Sequence, residues 1–538
     1  MRLAAILFVV VGLGWGTFCG RAEAAGLPDS ELLIRSHFTG LTRLAGDPDA
    51  TKLKAVLALP ETKALREQTL RKLAQSPPSF SGPALSPEQA ERGAALLRPL
   101  LDDVLDQESV LELRGPVGQL EWTLAVSVSG ARKAVWQDNL TALMKLWNLE
   151  GPKAFTQAGF PAGEWNRPGS SHRVRWVEAG GWLVLGAGGG AGPAWESAVQ
   201  RLKAASRPLP ALSDSIWEAE VALGPLRQPL GLPRELFWPR VRVSVSGKGE
   251  NLRTLMNLSF AEPVTGPLTP WRVPTNLIQE PLISFTAARG VAPWLQRSDT
   301  LAGLELKPAP NELYFWAQQA LVFQSFLAFP AADPTNTVAR MGQRGSGLLG
   351  EGWKKRGFGT IEWQPSSSQT IWKDLPYITP FARPASDAGG GFVLGGLFPS
   401  MPGTNTLPRE LLSQVTGRSN LVFYDWEITQ HRLAQWRTTS QLFAMLADRS
   451  QFTSNMVSFR WLMGVEPHLG NTITEIVATS PKEWSLTRKS HVGLTGIELV
   501  GLARWLESTN FPHLGLEMPR ETPAATPKPS LPGAAPKR

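Results

Sequence analysis

Cysteine is almost absent from this chain of 538 residues, which contains only Cys19. Cys19 lies in an N-terminal apolar stretch that we expect to be removed after export, and the bulky Phe18 before it is not typical of a lipidated cysteine. The mature chain would then form no disulfide and offer no thiolate to a metal or a substrate. Thiol chemistry is therefore excluded as the basis of its function.

Histidine is also scarce, and the six histidines are scattered along the sequence. No two of them have the His-x-His or His-x-x-x-His spacing that places two imidazoles on one side of a strand or helix. The sequence therefore predicts no metal site.

Dense clusters of basic residues are missing as well, although 54 Lys and Arg against 46 Asp and Glu give a net charge of +8. The basic residues form isolated groups such as Arg132-Lys133 and Lys354-Lys355-Arg356. Nucleic-acid-binding proteins concentrate such residues on one surface. We therefore expect no nucleic-acid partner.

The N-terminus has the pattern of a secretory signal. Arg2 precedes an apolar run that extends to Phe18, and an Ala-Glu-Ala sequence ending at Ala24 precedes Ala25. This order of a basic start, an apolar run and a small-residue site is recognised by signal peptidase. It predicts a signal peptide over residues 1–24 and a periplasmic or secreted protein. Membrane contact is expected only through this segment, if it is not cleaved.

Residues 25–107 show helical periodicity in three segments. Apolar residues recur at helical spacing over Leu32–Leu44 and over Thr62–Gln75. A third helix is predicted from Ser86, because Ser86 and Gln89 have the spacing of a capping box. We expect these segments to form an N-terminal helical module.

Part of this region resembles the start of uncharacterised exported proteins of environmental bacteria. The resemblance rests on Ser36–Ala45 and Leu59–Arg66, within the first fifth of the chain. No activity is known for those proteins. The resemblance therefore implies export and architecture, and no mechanism.

Beyond the helical module, short alternating strands are interrupted by helical segments. Residues 108–262 and 275–515 are predicted as two α+β modules, each an antiparallel sheet with helices packed on one face. The Pro-rich segment 263–274 separates them, and the Pro- and Ala-rich tail 516–538 is predicted to be disordered. The predicted fold class is therefore α+β, with a helical module followed by two antiparallel-sheet modules.

Tryptophan is frequent, with 21 residues against 3 tyrosines. Trp122, Trp182 and Trp484 each begin a predicted strand that a helical segment follows, which suggests a repeated building unit. Exposed indole rings can stack on sugars, so Trp-mediated polysaccharide binding is one possible function. Core packing is the favoured role, because these residues begin apolar strands.

One stretch of twenty residues, Leu313–Ala332, contains no charged side chain. Its length would suit a membrane-spanning helix. Its glutamines and Pro330 favour a buried helix, and the choice between buried and membrane-associated stays open.

A glycine cluster follows the apolar run that begins at Trp182. Gly186, Gly188 and Ala191 have the G-x-G-x-x-A spacing of a dinucleotide-binding loop. Such a loop needs a parallel strand–loop–helix unit, whereas the tight Gly180-Gly181 turn makes this strand antiparallel to its predecessor. We therefore predict a hairpin arm that leads into a covering helix, and no cofactor.

The most suggestive catalytic grouping is Asp425, Glu427 and His431. The two carboxylates share one face of a predicted strand and the histidine follows closely, so they could form a base with an orienting partner. No complete catalytic set is apparent, and we expect an exported, non-catalytic protein that binds an unknown envelope protein, lipid or polysaccharide. The alternative from these three residues is a hydrolase of an envelope polymer.

Overall fold

The computed structural model describes most of the chain, in segments that cover the following residues: 32–76, 85–116, 120–169, 171–188, 192–228, 230–297, 306, 308–319, 324–348, 355, 357–387, 389–398, 408–446 and 452–513. The predicted signal peptide, its cleavage site at Ala24 and Ala25, and the predicted tail 516–538 lie outside these residues.

Twenty strands form one continuous sheet in which every pair of neighbours is antiparallel. The strands of the first half of the chain are β1 (Leu32–Phe38), β2 (Ser109–Arg114), β3 (Glu121–Ser127), β4 (Glu150–Gln157), β5 (Phe160–Asn166), β6 (Arg173–Ala179), β7 (Trp182–Gly188), β8 (Trp217–Ala222), β9 (Arg240–Lys248) and β10 (Asn251–Ser259). Those of the second half are β11 (Leu282–Arg289), β12 (Glu312–Gln318), β13 (Ser325–Pro330), β14 (Thr360–Gln364), β15 (Gln369–Lys373), β16 (Phe381–Asp387), β17 (Gly390–Gly396), β18 (Leu421–Ile428), β19 (Asn471–Ser480) and β20 (Glu483–Ser490).

Thirteen α-helices occur within the described segments. In chain order they are α1 (Leu41–Gly46), α2 (Thr51–Ala58), α3 (Pro60–Gln75), α4 (Pro87–Asp106), α5 (Gly130–Leu146), α6 (Pro193–Ala205), α7 (Leu223–Leu226), α8 (Ala292–Arg297), α9 (Pro334–Leu348), α10 (Arg409–Thr416), α11 (Thr429–Leu446), α12 (Val457–Val465) and α13 (Gly496–Glu507). The predicted capping box of Ser86 and Gln89 is present at the start of α4.

The strand order of the first half is repeated in the second. From one edge to the centre it runs β4-β5-β6-β7-β3-β2-β1-β8-β9-β10, and from the other edge it runs β14-β15-β16-β17-β13-β12-β11-β18-β19-β20. The halves join where β10 pairs with β20. An identical order in both halves is what a duplicated unit would produce.

A pseudo-two-fold axis passes through the β10–β20 junction. Leu255 and Thr487 occupy the same position relative to the turns before their strands, Gly249-Glu250 and Pro481-Lys482. These two residues also lie directly opposite each other across the junction. The axis therefore passes between them.

One layer of helices covers the same face of the sheet in both halves. Apolar side chains of α3, α4, α5, α12 and α13 share a single core with β1, β3 and β7. Lys72 of α3 donates hydrogen bonds to the carbonyls of Leu506 (2.8 Å) and Glu507 (2.9 Å) at the end of α13. Trp461 of α12 donates to Thr62 Oγ1 at 3.1 Å. N-terminal and C-terminal helices thus belong to one helical layer.

The predicted fold class was therefore wrong. Leu32–Phe38, predicted as part of a helix, is strand β1, which pairs with both β2 and β8 inside the sheet. Helices α3 and α4 form no separate N-terminal module, because their apolar faces pack on the sheet and on helices from the end of the chain. The strands form one sheet, not two, since β10 and β20 join them.

The buried helix predicted for Leu313–Ala332 was also wrong, because its described residues form β12 and β13. Tyr314 pairs with Ala328 and Trp316 pairs with Phe326 across this hairpin, and all four side chains are buried. A strand buried on both faces loses its polar alternation, so an apolar run does not distinguish it from a buried helix. Among the described helices, none is both long and apolar enough to cross a membrane.

Candidate functional site

Asp425 and Glu427 lie on one face of β18, as the strand periodicity predicts. Thr286 Oγ1 on β11 donates to Asp425 Oδ1 at 2.6 Å. The backbone N–H of Gly496, the first residue of α13, donates to Glu427 Oε1 at 2.8 Å. Glu427 is only 4% exposed. A substrate could therefore reach its carboxylate only if the helical layer moved.

The two carboxylates belong to a buried polar layer between the sheet and the helices. Neighbouring strands contribute polar side chains at matching register positions, and this layer contains Ser284 and Thr286 on β11, Thr472 and Thr474 on β19, and Arg488 and Ser490 on β20. Four of these six residues are buried, and the other two, Thr286 and Arg488, donate hydrogen bonds within the layer, as when Arg488 Nε donates to Thr474 Oγ1 at 2.9 Å. Burying so many polar groups is costly unless they are hydrogen-bonded to one another.

Two arginines contribute positive charge to the buried polar layer. Arg488 forms an ion pair with Glu498 of α13 at 2.7 Å. Arg432 of α11 is 3% exposed, and burial lowers its pKa to about 10 against the opposing attraction of Glu427 and Asp425. Its guanidinium also lies 4.5 Å from the ring centroid of Trp436.

Burial shifts the protonation of both carboxyl groups. It raises the pKa of Glu427 to about 7, and the neighbouring charge of Asp425 adds to this rise. Burial likewise raises the pKa of Asp425, against the hydrogen bond from Thr286. The carboxyl group of Glu427 therefore changes its protonation near neutral pH, and burial favours the protonated form of Asp425 as well.

His431, the third predicted residue, is a half-buried residue in the first turn of α11. The charge that acts on Asp425 and Glu427 from this helix is that of Arg432, the next residue. Sequence reasoning missed Arg432 and Arg488. The helical period of α11 places residue 432 on the same face as Thr429 and Leu433, which are both buried, so this period was the available signal.

The glycine cluster has a packing explanation. β7 is antiparallel to β3 and to β6, and α6 follows it. The carboxylate of Glu121 accepts hydrogen bonds from the backbone N–H groups of Gly192 (3.0 Å) and Ala194 (3.2 Å) at the start of α6. This carboxylate occupies the position at a helix N-terminus where a bound phosphate would otherwise lie. Residues 189–191 lie outside the described residues.

The tryptophans singled out in the sequence serve as packing residues. Trp122 and Trp182 are buried at the starts of β3 and β7. Trp484, at the start of β20, packs against Phe260 with ring centroids 5.2 Å apart and donates to Thr265 Oγ1. β3, β7 and β20 hold non-equivalent places in the repeated strand order. The tryptophans therefore do not mark the repeat that the structure contains.

On the opposite face of the sheet, two of the described helices pack against the strands, and residues 271–278 also pack on the second half. α6 packs on the first half and α10 on the second. Between them lies the central face, formed by β8, β9, β10, β20 and β19 on the side turned away from the helical layer. Its exposed side chains include those of Arg253, Leu255, Asn257, Thr487 and Lys489, and Leu255 is 54% exposed.

A polar cleft of about 210 Å³ adjoins the central face. It is lined in part by Arg43, Asp47, Asp49 and Asp214. A hydrogen bond of 2.8 Å between the hydroxyls of Ser215, which lines the cleft, and Ser244 of β9 links it to the central face. Within the part of the chain that the structure covers, no three His, Cys, Asp or Glu side chains are grouped so that they could hold a metal ion.

Comparison with known proteins gives no family for this chain. It matches no protein-family model, no curated protein and no solved structure. The geometry of the central face and of the buried polar layer is therefore the basis for a functional assignment.

Proposed function

We propose that the protein is exported and that it binds a partner on the central face without catalysing a reaction. The proposal rests on five adjacent strands at the centre of the sheet, which are exposed on the side turned away from the helical layer. The helical layer covers the other side of the sheet in both halves. The export part rests on the signal pattern before Ala25. N-terminal sequencing of secreted protein should start at Ala25, and an intact Met1 would contradict cleavage.

The size of the central face suits a specific interface. Five strands at spacings of roughly 4.8 Å span about 19 Å, and a nine-residue strand is about 30 Å long. The resulting area of several hundred Å² approaches the roughly 800 Å² that each partner buries in a typical complex. Leu255 stands near its middle as a large apolar side chain among polar neighbours, which is the position of a binding hot spot.

The carboxylates predicted as catalytic support a structural role better than a catalytic one. Asp425 and Glu427 point to the opposite side of the sheet from the central face, because Glu427 contacts α13 of the helical layer. Each of the two accepts a hydrogen bond from a neighbouring element of the fold. They therefore help to join the sheet to the helices.

The test compares two substitutions of exposed apolar residues. Leu255→Glu places a charge at the centre of the central face, and Met463→Glu places one on α12, where Met463 is 45% exposed. In co-sedimentation with isolated bacterial envelopes, we expect Leu255→Glu to weaken binding about ten-fold or more. The Met463→Glu protein should bind like the wild type.

Two results would contradict the proposal. One is equal envelope binding by the wild type and the Leu255→Glu protein. The other is release of soluble fragments from the envelopes by the wild type and not by a folded Glu427→Gln variant, which would establish hydrolysis.

A further inference from the structure

Two positive charges face each other on the central strands. Arg253 of β10 lies directly opposite Lys489 of β20, and both side chains are exposed on the central face. Like charges at directly opposed positions of an antiparallel pair destabilise a sheet. Because both side chains are exposed, an anion bound from outside the chain would offset the repulsion between them.

The acidic side chains of the central face leave this pair unneutralised. Glu475 on β19 is engaged by Arg418 at 2.6 Å, and Glu220 on β8 is engaged by Arg240 at 2.9 Å. Glu218, also on β8, lies opposite Ser244 of β9 and two strands away from Arg253. Glu483 lies at the far end of β20, opposite Ser259. Among the described residues, neither Arg253 nor Lys489 has an acidic side chain within ion-pair distance.

The surroundings of the pair favour a polar ligand over a lipid surface. Ser246 lies opposite Arg253 on β9, and Thr487 is the next residue of β20 on this face. Hydroxyl groups can donate to or accept from a hydrated ligand. Leu255 is the single large hydrophobic side chain with high exposure on these two strands, and one such residue provides little apolar area for insertion into lipid.

We infer that the partner of the central face is an anionic polysaccharide, whose sulfate, phosphate or carboxylate groups bind between Arg253 and Lys489. This inference rests on the proposed function and names its ligand class. Arg253 supplies a planar guanidinium that can bind such a group through two hydrogen bonds, and Lys489 supplies a second cation from the neighbouring strand. An extended polymer would lie across β10 and β20, with its hydroxyl groups near Ser246 and Thr487.

The first experiment measures binding of dextran sulfate, with neutral dextran as the uncharged probe. The variant Arg253→Gln/Lys489→Gln is compared with Lys153→Gln/Lys203→Gln, which removes the same net charge from exposed positions on β4 and α6. We expect the first variant to bind dextran sulfate at least ten-fold more weakly and the second to bind within two-fold of the wild type. Neutral dextran should bind weakly to all three proteins.

Three outcomes would overturn the inference. Equal losses in both variants would mean that net charge alone attracts the probe. Unchanged binding in the first variant would mean that the pair takes no part. Selective loss of binding to vesicles of phosphatidylglycerol, with dextran sulfate binding retained, would identify a membrane surface as the partner. If Leu255→Glu still abolishes envelope binding in any of these cases, the proposed function stands and only the ligand class fails.

A thermal readout tests the repulsion itself and confirms folding. Arg253→Gln and Lys489→Gln should each raise the Tm at low salt, and the double variant should gain less than the sum of the two. Dextran sulfate should raise the Tm of the wild type and leave that of the double variant unchanged. Additive Tm changes would show that the two charges do not interact.

Discussion

Glu427 illustrates how one buried residue can make stability depend on pH. Its carboxyl group binds a proton more tightly in the folded protein than in the unfolded chain, because burial raises its pKa to about 7 from an ordinary value of 4.5. The stabilising contribution of the protonated form is therefore complete below about pH 4.5 and is lost as the pH rises through 7. This direction is opposite to that of an ordinary ion-paired carboxylate.

Glu427→Gln should remove this part of the pH dependence. Urea unfolding measured between pH 5 and pH 8 should show that the free energy of unfolding of the wild type falls relative to that of the variant as the pH rises. The loss should be of order 3 kcal/mol at pH 8. Glu362→Gln is a matched control, because Glu362 is exposed and its hydrogen bond with Lys373 lowers its pKa, so it stays charged across this range. Parallel curves for the wild type and Glu427→Gln would show that Glu427 does not take up the proton.

At the same scale, the sequence predicted the candidate site only in part. The two-residue period of β18 was enough to place Asp425 and Glu427 together. Arg488 was missed because it comes from β20 and meets the carboxylates only through the order of strands across the sheet. Arg432 follows them closely in the sequence, and only the helical period of α11 indicated that it is buried. Local periodicity carries no information about which distant element lies alongside.

At the scale of single elements, β7 and α6 show how glycines permit close packing. A Cβ atom added to Gly186 would lie 2.6 Å from Trp195 Cδ1, and one added to Gly188 would lie 2.8 Å from Glu121 Cγ. Trp195 is buried in the first turn of α6. Gly186 is thus required by the fit of α6 against β7, and Gly188 by the close approach of Glu121 at the start of β3.

Gly186→Ala should therefore destabilise the protein by about 1–3 kcal/mol, since Trp195 would have to shift within a packed core. Gly347→Ala is the contrasting control, because Gly347 lies in α9 with open space around its added Cβ. There alanine should stabilise the helix by up to about 1 kcal/mol. Chemical denaturation of both variants measures the difference, and a Gly186→Ala protein as stable as the wild type would contradict this account of the cluster.

Several elements were harder to predict from sequence for a common reason. Leu33 and Ile34 are adjacent and both buried, so β1 shows no alternation of buried and exposed side chains. This is why the sequence pattern of β1 predicts a helix. β12 and β13 lack the alternation of buried and exposed side chains for the same reason. β9, β10, β19 and β20 keep the alternation in their sequences, because one of their faces is exposed and therefore polar.

At the scale of the whole molecule, the two halves differ in where their extra helices are inserted. α1–α4 lie between β1 and β2 in the first half, whereas α11 and α12 lie between β18 and β19 in the second. Within the described residues, the helix of the equivalent β11–β12 connection is α8, and that of the equivalent β8–β9 connection is α7. These insertions change the spacing between equivalent strands, which conceals the repeat from any search for a fixed period.

Both halves should be needed for folding, although each contains ten strands. When residues 25–262 and 263–538 are produced as separate chains, we expect them to be soluble only together and to co-purify as a complex. Each half alone would expose the β10 or β20 edge and the apolar surfaces that α3 and α12 bury against each other.

The control for this experiment is Thr487→Pro in the second chain. Proline in the middle of β20 would disrupt the ladder, so the chains should no longer associate. A soluble half that unfolds cooperatively by itself would show that the halves are independent domains.

The strand order also places the first and the last described strands away from both edges of the sheet. The first described strand, β1, and the last, β20, both lie inside the sheet, and the edges β4 and β14 come from the interior of the chain. Twenty strands measure roughly 90 Å along the curve of the sheet. β20 thus lies at the midpoint of this long strip, with ten strands on one side and nine on the other, whereas β1 has six strands on one side and thirteen on the other.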